Sequence, residues 1–289
     1  MANMTANGIQ IEYDTFGDKN DFPILLIMGI GAQMLLWDEE ICKQLAEKNL
    51  FVIRFDNRDV GLSSKMEGAK SSDSPEGEAN QDEYTLDDMA DDAAGLLAAL
   101  NIEKAHICGF SMGAAVAQTV AIRHPAIVQG LICIAGTTGN SELPPPTPEA
   151  MKLFMKPVPS IRDEYINRII SDYKVFFGSG YPLDEEWFRN LTAQLYDRSF
   201  YPAGITRQLM ALMLHGDRRE RLRSVKAPTL VVHGNEDPVL RVECGKDLAD
   251  AIPGAELMIV EGMGHDMPHG GAWPKITAAI VKHTQMVYT

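Results

Sequence analysis

Between Ala105 and His124 the chain passes from a short apolar run to a helical pattern through Gly109-Phe110-Ser111-Met112-Gly113. This passage constrains the fold more than any other stretch. Ala105 to Gly109 reads as a buried strand and Met112 to His124 as a helix, so the turn between them is sharp. A turn of that kind forces strained dihedrals on its central residue, and small residues two before and two after let the chain pass without clashes. Gly109 and Gly113 hold those positions. The hydroxyl of Ser111 is then exposed at the carboxyl edge of a sheet and the mouth of a helix N-terminus. The plainer alternative is a glycine-rich turn whose serine caps the helix.

Elsewhere, short apolar runs alternate with helical patterns, as expected for a mostly parallel sheet covered by helices. Ile9 to Phe16 alternates apolar and polar residues like a half-buried edge strand. Strands are expected over Pro23–Met28, Phe51–Phe55, Ile127–Ala135, Thr229–His233 and Glu256–Val260. Helices are expected over Leu86–Leu100, with Thr85 as N-cap and Asp87 and Asp88 in the first turn, over Arg241–Ile252 and over Trp273–Met286. Two segments break the rhythm. Residues 63–84 are rich in Ser, Gly, Asp and Glu and read as a solvated loop. Residues 137–226 open with a turn-rich, proline-rich stretch and continue as amphipathic helical patterns rich in Met, Phe, Tyr and Trp. They read as a helical insertion, or cap, in a core formed by residues 1–136 and 227–289.

The length of 289 residues suits one large α/β domain with such an insert. A net charge of −14 repels phosphate backbones and anionic membranes, which argues against nucleic acid as a partner. No run approaches the roughly 18 apolar residues of a membrane span. The first residues lack the basic and apolar segments of a signal peptide. Cys42, Cys108, Cys133 and Cys244 form no C-x-x-C pair and read as free buried thiols, which fits a reducing, cytoplasmic setting. The sequence carries no signal for oligomeric state.

Serine needs a base to act as a nucleophile near neutral pH. His265, in Gly262-Met263-Gly264-His265, follows an expected strand in a glycine-rich loop before the last helix. His106, His124, His215, His233 and His283 sit where packing or surface roles are expected, and His269 shares the His265 loop as a possible site-lining residue. A base of this kind needs an acid to fix its tautomer and stabilise the imidazolium. Asp237 lies in the loop after the Thr229–His233 strand, one strand–helix–strand unit before His265, so both loops leave the same sheet edge. Glu236 is its rival. The order Ser, Asp, His is the one such a sheet demands. Backbone donors for a developing oxyanion are expected at Met112, directly after the serine, and at Ile30 in Met28-Gly29-Ile30-Gly31.

With these motifs the chain resembles the α/β-hydrolase superfamily along nearly its whole length. The matching segments are Met28-Gly29-Ile30-Gly31, Phe55-Asp56-Asn57-Arg58-Asp59-Val60-Gly61-Leu62-Ser63, Gly109-Phe110-Ser111-Met112-Gly113 and Gly262-Met263-Gly264-His265. Met-Gly in the first and Arg-Asp-x-Gly-x-Ser in the second are similar to the aclacinomycin methylesterase branch of carboxylic-ester hydrolases. The resemblance implies an α/β-hydrolase fold with about eight strands, a helical cap over the site, and no metal or organic cofactor. It also implies that the Asp56–Asp59 loop is structural, with an Asp–Arg pair bracing the turn.

The expected activity is hydrolysis of a small, apolar carboxylic ester, with Ser111 attacking and activity rising through neutral pH as the histidine loses its proton. Lactonase, thioesterase and carbon–carbon hydrolase activities use the same residues. A ligand-binding protein that keeps the fold for recognition is the alternative from another class.

Overall fold

The computed structural model describes residues 1–67, 84–266 and 269–286. Among them, eight strands form one sheet: β1 (Ala2–Ala6), β2 (Ile9–Phe16), β3 (Phe22–Ile27), β4 (Leu50–Phe55), β5 (Ala105–Phe110), β6 (Val128–Ile134), β7 (Thr229–Gly234) and β8 (Glu256–Val260). Their order is β1-β2-β4-β3-β5-β6-β7-β8. The β1–β2 and β2–β4 pairs are antiparallel and the remaining pairs parallel.

The expected edge position of Ile9–Phe16 is incorrect. β2 lies between β4 and β1, and β1 occupies the edge. A two-residue loop joins Ala6 to Ile9, with Asn7 at φ 48° and Gly8 at φ 77°. Asn-Gly supplies two positive φ values at low cost and so closes a tight hairpin. Most of the polar stretch 63–84, residues 68–83, lies outside the described residues.

Alternate residues of each strand face opposite sides of the sheet. Leu25, Ile27, Ile107, Leu131 and Val231 meet α2 (Leu86–Ala99) and α3 (Met112–Arg123), with Leu248 of α9 (Val242–Ala251). Ile24, Leu26, Cys108, Ile132 and Val232 meet α1 (Glu39–Ala46) and α10 (Trp273–Met286) on the other face. Thr85 and Asp88 form a reciprocal capping box at the start of α2, satisfying amides that the first helical turn leaves bare. All four cysteines are free and buried.

Between β6 and β7 the chain forms α4 (Pro148–Phe154), α5 (Arg162–Tyr173), α6 (Glu185–Arg198), α7 (Pro202–His215) and α8 (Arg219–Leu222). Ile166, Ile170 and Phe188 make a small apolar cluster there. No helix among the described residues is long and apolar enough to cross a membrane.

The chain runs outward from β3 to β4 and then returns to the other side of β3 as β5. A crevice opens outside the carboxyl ends of the strands where a parallel sheet reverses its order in this way. In register, Ile27 neighbours Gly109, and Gly109 neighbours Cys133. The loops after β3, β5, β7 and β8 therefore leave one edge.

Candidate active site

Ser111 sits between β5 and α3 with φ 55° and ψ −120°, a conformation that costs a non-glycine residue about 1–3 kcal/mol. Two close approaches explain why glycines flank it. A Cβ on Gly109 would lie 2.1 Å from the Gly113 carbonyl oxygen, and a Cβ on Gly113 would lie 2.1 Å from that of Ile27. The Ser111 amide donates to the Ile134 carbonyl at 2.9 Å, which ties the turn to the neighbouring strand. Ser111 occupies the N-cap position of α3, yet its hydroxyl makes no cap bond. That bond is the one the plainer reading of the turn required.

The hydroxyl instead lies 2.9 Å from Nε2 of His265. Nδ1 of His265 lies 2.7 Å from Oδ2 of Asp237. Asp237 is shut off from solvent, and its Oδ1 accepts from the amides of Val239 and Leu240, both at 2.8 Å. Those two amides fix the carboxylate so that its second oxygen faces the imidazole. The three side chains come from different loops of one sheet edge and form a continuous hydrogen-bonded chain. The rival carboxylate, Glu236, is exposed and accepts from the Ser179 amide and hydroxyl at 2.6 and 2.8 Å.

The Met28–Gly31 loop passes beside the serine, since a Cβ on Gly29 would lie 3.2 Å from the Ser111 Cβ. Among the described residues, the amide of Ile30 donates to no protein acceptor. The Gly31 amide is taken by Oε1 of Gln208 at 2.7 Å. Gln208 is fully buried on α7, and its Nε2 donates to the Arg58 carbonyl at 2.9 Å. It thus ties the Ile30 loop to the Asp56–Asp59 loop. Sequence reasoning missed it because a glutamine inside a helical pattern carries no mark of a partner so far along the chain.

The Asp56–Asp59 loop is braced from outside itself. Asp56 pairs with Arg198 of α6 at 2.7 Å and accepts from the Met34 and Leu62 amides. Arg58 pairs with Asp92 of α2 at 2.6 Å, and Asp59 with Arg207 of α7 at 2.8 Å. Nδ2 of Asn57 donates to the Met28 carbonyl at 3.0 Å. Asp–Arg pairs thus brace the turn, as the resemblance implied, with the partners supplied by α2, α6 and α7.

Of the remaining histidines, His233 is fully buried, and its Nε2 lies 2.7 Å from the Leu240 carbonyl and 3.6 Å from Asp237. Burial pushes its proton affinity below the ordinary histidine value, with His265 opposing its charge as well. A neutral His233 leaves the Asp237 charge directed at His265. His269 pairs with Asp38 at 2.6 Å, and its ring stacks on Trp187 with centroids 4.2 Å apart.

A cavity of about 190 Å³ reaches the core at Ile30 and Gly31 and is walled from the segment between β6 and β7 by Tyr165, Phe188, Tyr196 and Phe200. Among the described residues no group of three or more His, Cys, Asp or Glu side chains is arranged to hold a metal ion.

The model of the alpha/beta hydrolase fold family matches residues 23–272. The chain belongs to the α/β-hydrolase fold family. It is 27% identical over 308 residues to rhodomycin D methylesterase DauP of Streptomyces sp. (strain C5), covering 98% of this chain and 97% of that one. Rhodomycin D methylesterase DnrP of Streptomyces peucetius matches at the same identity and coverage. These full-length matches agree with the branch whose motifs the sequence shares. Among solved structures, the meta-cleavage product hydrolase of Pseudomonas fluorescens IP01 superposes with a TM-score of 0.73 at 20% identity, over 99% of this chain and 98% of that one. That is a likeness of fold.

Proposed function

We propose that this protein hydrolyses carboxylic esters through an acyl-enzyme on Ser111. The observation that carries this reading is the chain Ser111–His265–Asp237, at 2.9 and 2.7 Å, hung on a strained turn. Ser111 Oγ attacks the ester carbonyl while its proton passes to Nε2 of His265. Asp237 holds the imidazole by Nδ1 and balances the imidazolium. The carbonyl oxygen, now anionic, is held by the amides of Met112 and Ile30. Collapse of the tetrahedral intermediate breaks the bond to the alcohol, which leaves with the proton from His265. Water, deprotonated by the same histidine, then releases the acid and restores Ser111.

Residues 137–226 act in this reading as a cap over the site, and the cavity between them and the core meets the site at the oxyanion loop, Ile30 and Gly31. Two relatives named as methylesterases support an ester with a small alcohol. We place the enzyme in the cytoplasm, where its free buried cysteines stay reduced.

The test is hydrolysis of p-nitrophenyl acetate, butyrate, octanoate and laurate by wild type and Ser111→Ala at about pH 8, where a free histidine is neutral. Turnover that favours the short esters and vanishes in Ser111→Ala supports the reading. Equal turnover by the variant overturns it.

A further inference from the structure

The loop that carries His265 is not held by the core alone. The segment from Phe176 to Gly180, between α5 and α6, runs against residues 262–266 in the opposite direction. The His265 amide donates to the Phe176 carbonyl at 2.8 Å, and the Gly180 amide to the Gly262 carbonyl at 2.9 Å. Between these two bonds the backbones approach too closely for side chains. A Cβ on Gly178 would lie 2.2 Å from the Gly262 carbonyl oxygen, and one on Gly264 would lie 2.0 Å from that of Phe176. The two glycine-rich segments fit only with each other.

One side chain closes this seam. Asp266 is 1% exposed, and its Oδ2 accepts from the Gly178 amide at 3.2 Å. Its Oδ1 is buried without a hydrogen-bond partner among the described residues. A buried carboxyl with a bare oxygen is costly, so an arrangement of this kind persists only when the surroundings enforce it. The ring of His265 follows its own backbone, whose amide is bonded to the same segment that Asp266 grips.

We propose that Asp266 is a positioning residue that fastens the Phe176–Gly180 segment to the histidine loop and so sets the place of His265 against Ser111. The inference rests on the triad reading above. Burial pushes the Asp266 carboxyl up to about 7, against the Gly178 amide, the His265 charge and the Gly264 amide, which favour ionisation. The charged and titratable groups facing it are His265 in its own loop, Asp237 after β7 and the Tyr173 hydroxyl of α5. Asp266 therefore stands between its charged and neutral forms near neutral pH, and either form keeps an oxygen for the Gly178 amide.

The test compares Asp266→Ala and Asp266→Asn on p-nitrophenyl butyrate, with active sites counted by a fluorophosphonate probe. Alanine loses the acceptor for Gly178, and kcat per labelled site falls about 10- to 100-fold, the range expected for a misplaced catalytic group, while KM stays within about 3-fold. Asparagine keeps an acceptor and restores kcat to within about 3-fold. An alanine variant with wild-type kcat overturns the proposal, as does an asparagine variant with the alanine defect. If wild type neither labels nor turns over, the triad reading itself has failed, which is a distinct result.

Discussion

Replacing Arg198 with methionine tests how the β6–β7 helices support the site. Asp56 has no solvent exposure, and the Arg198 guanidinium lies 2.7 Å from its Oδ2. The variant keeps most of the side-chain length and deletes the charge. Asp56 is left with the Met34 and Leu62 amides, at 2.8 and 2.9 Å, as neutral donors. Breaking one side of a buried pair costs about 3–5 kcal/mol, because the remaining charge is uncompensated. The two amides place the expected cost near 3 kcal/mol, a large share of the roughly 5–15 kcal/mol that stabilises a typical protein. Asp56→Asn in the Arg198→Met background removes the stranded charge and should recover about half of the loss. Urea unfolding followed by tryptophan fluorescence measures both. Arg198 also donates to Oε1 of Gln33 at 2.7 Å, and an asparagine at 56 turns its NH2 towards one of the two backbone donors, so the other half of the loss remains in the double variant. A single variant within about 0.5 kcal/mol of wild type, as for an ordinary surface change, would refute the reasoning. A double variant less stable than the single one would refute it as well.

Asp237→Asn keeps an acceptor for the Val239 and Leu240 amides but offers His265 the wrong partner, so kcat should fall about 10³- to 10⁴-fold with the folded fraction unchanged by circular dichroism. Gly113→Val should destabilise by more than about 3 kcal/mol, or fail to fold, because its Cβ meets the Ile27 carbonyl; soluble expression and melting temperature report this. His106 is fully buried beside His283, and burial lowers its proton affinity from the ordinary 6.5 to about 4. The unfolded chain takes up that proton first, so the stability is intact above pH 6.5 and is lost as pH falls towards 4. The gap corresponds to about 3 kcal/mol, and His106→Asn should flatten the fall in a series of urea midpoints.

Much of the core was legible because its signals are local. Glu256–Val260 and Trp273–Met286 occupy the expected residues, and Thr85 caps α2. Ala2–Ala6 escaped notice because its strand is short and polar, although Asn7-Gly8 marked the hairpin. Helix α1 was not anticipated either. Its buried face is only Ile41, Cys42 and Leu45, too few positions to establish a helical period. The site divides the same way. Ser111, Asp237 and His265 stand in loops that follow strands, where the chain order itself restricts the geometry. Gln208, Arg198, Arg207 and Asp266 act through partners brought close by folding, and an arginine on a helical face looks alike whether it meets water or a buried carboxylate. The Gly178–Gly264 approach was hidden for a related reason. A glycine in a loop carries no mark of the segment it will meet, and here the constraint on each is the backbone of the other segment.

The most direct test of the account is to find where a covalent intermediate forms. Wild type treated with a fluorophosphonate probe, digested and sequenced by mass spectrometry, should carry one adduct on Ser111. Labelling should be abolished in Ser111→Ala and slowed strongly in His265→Ala. Ester turnover by wild type with no adduct on Ser111, or labelling that persists in Ser111→Ala, would contradict the account.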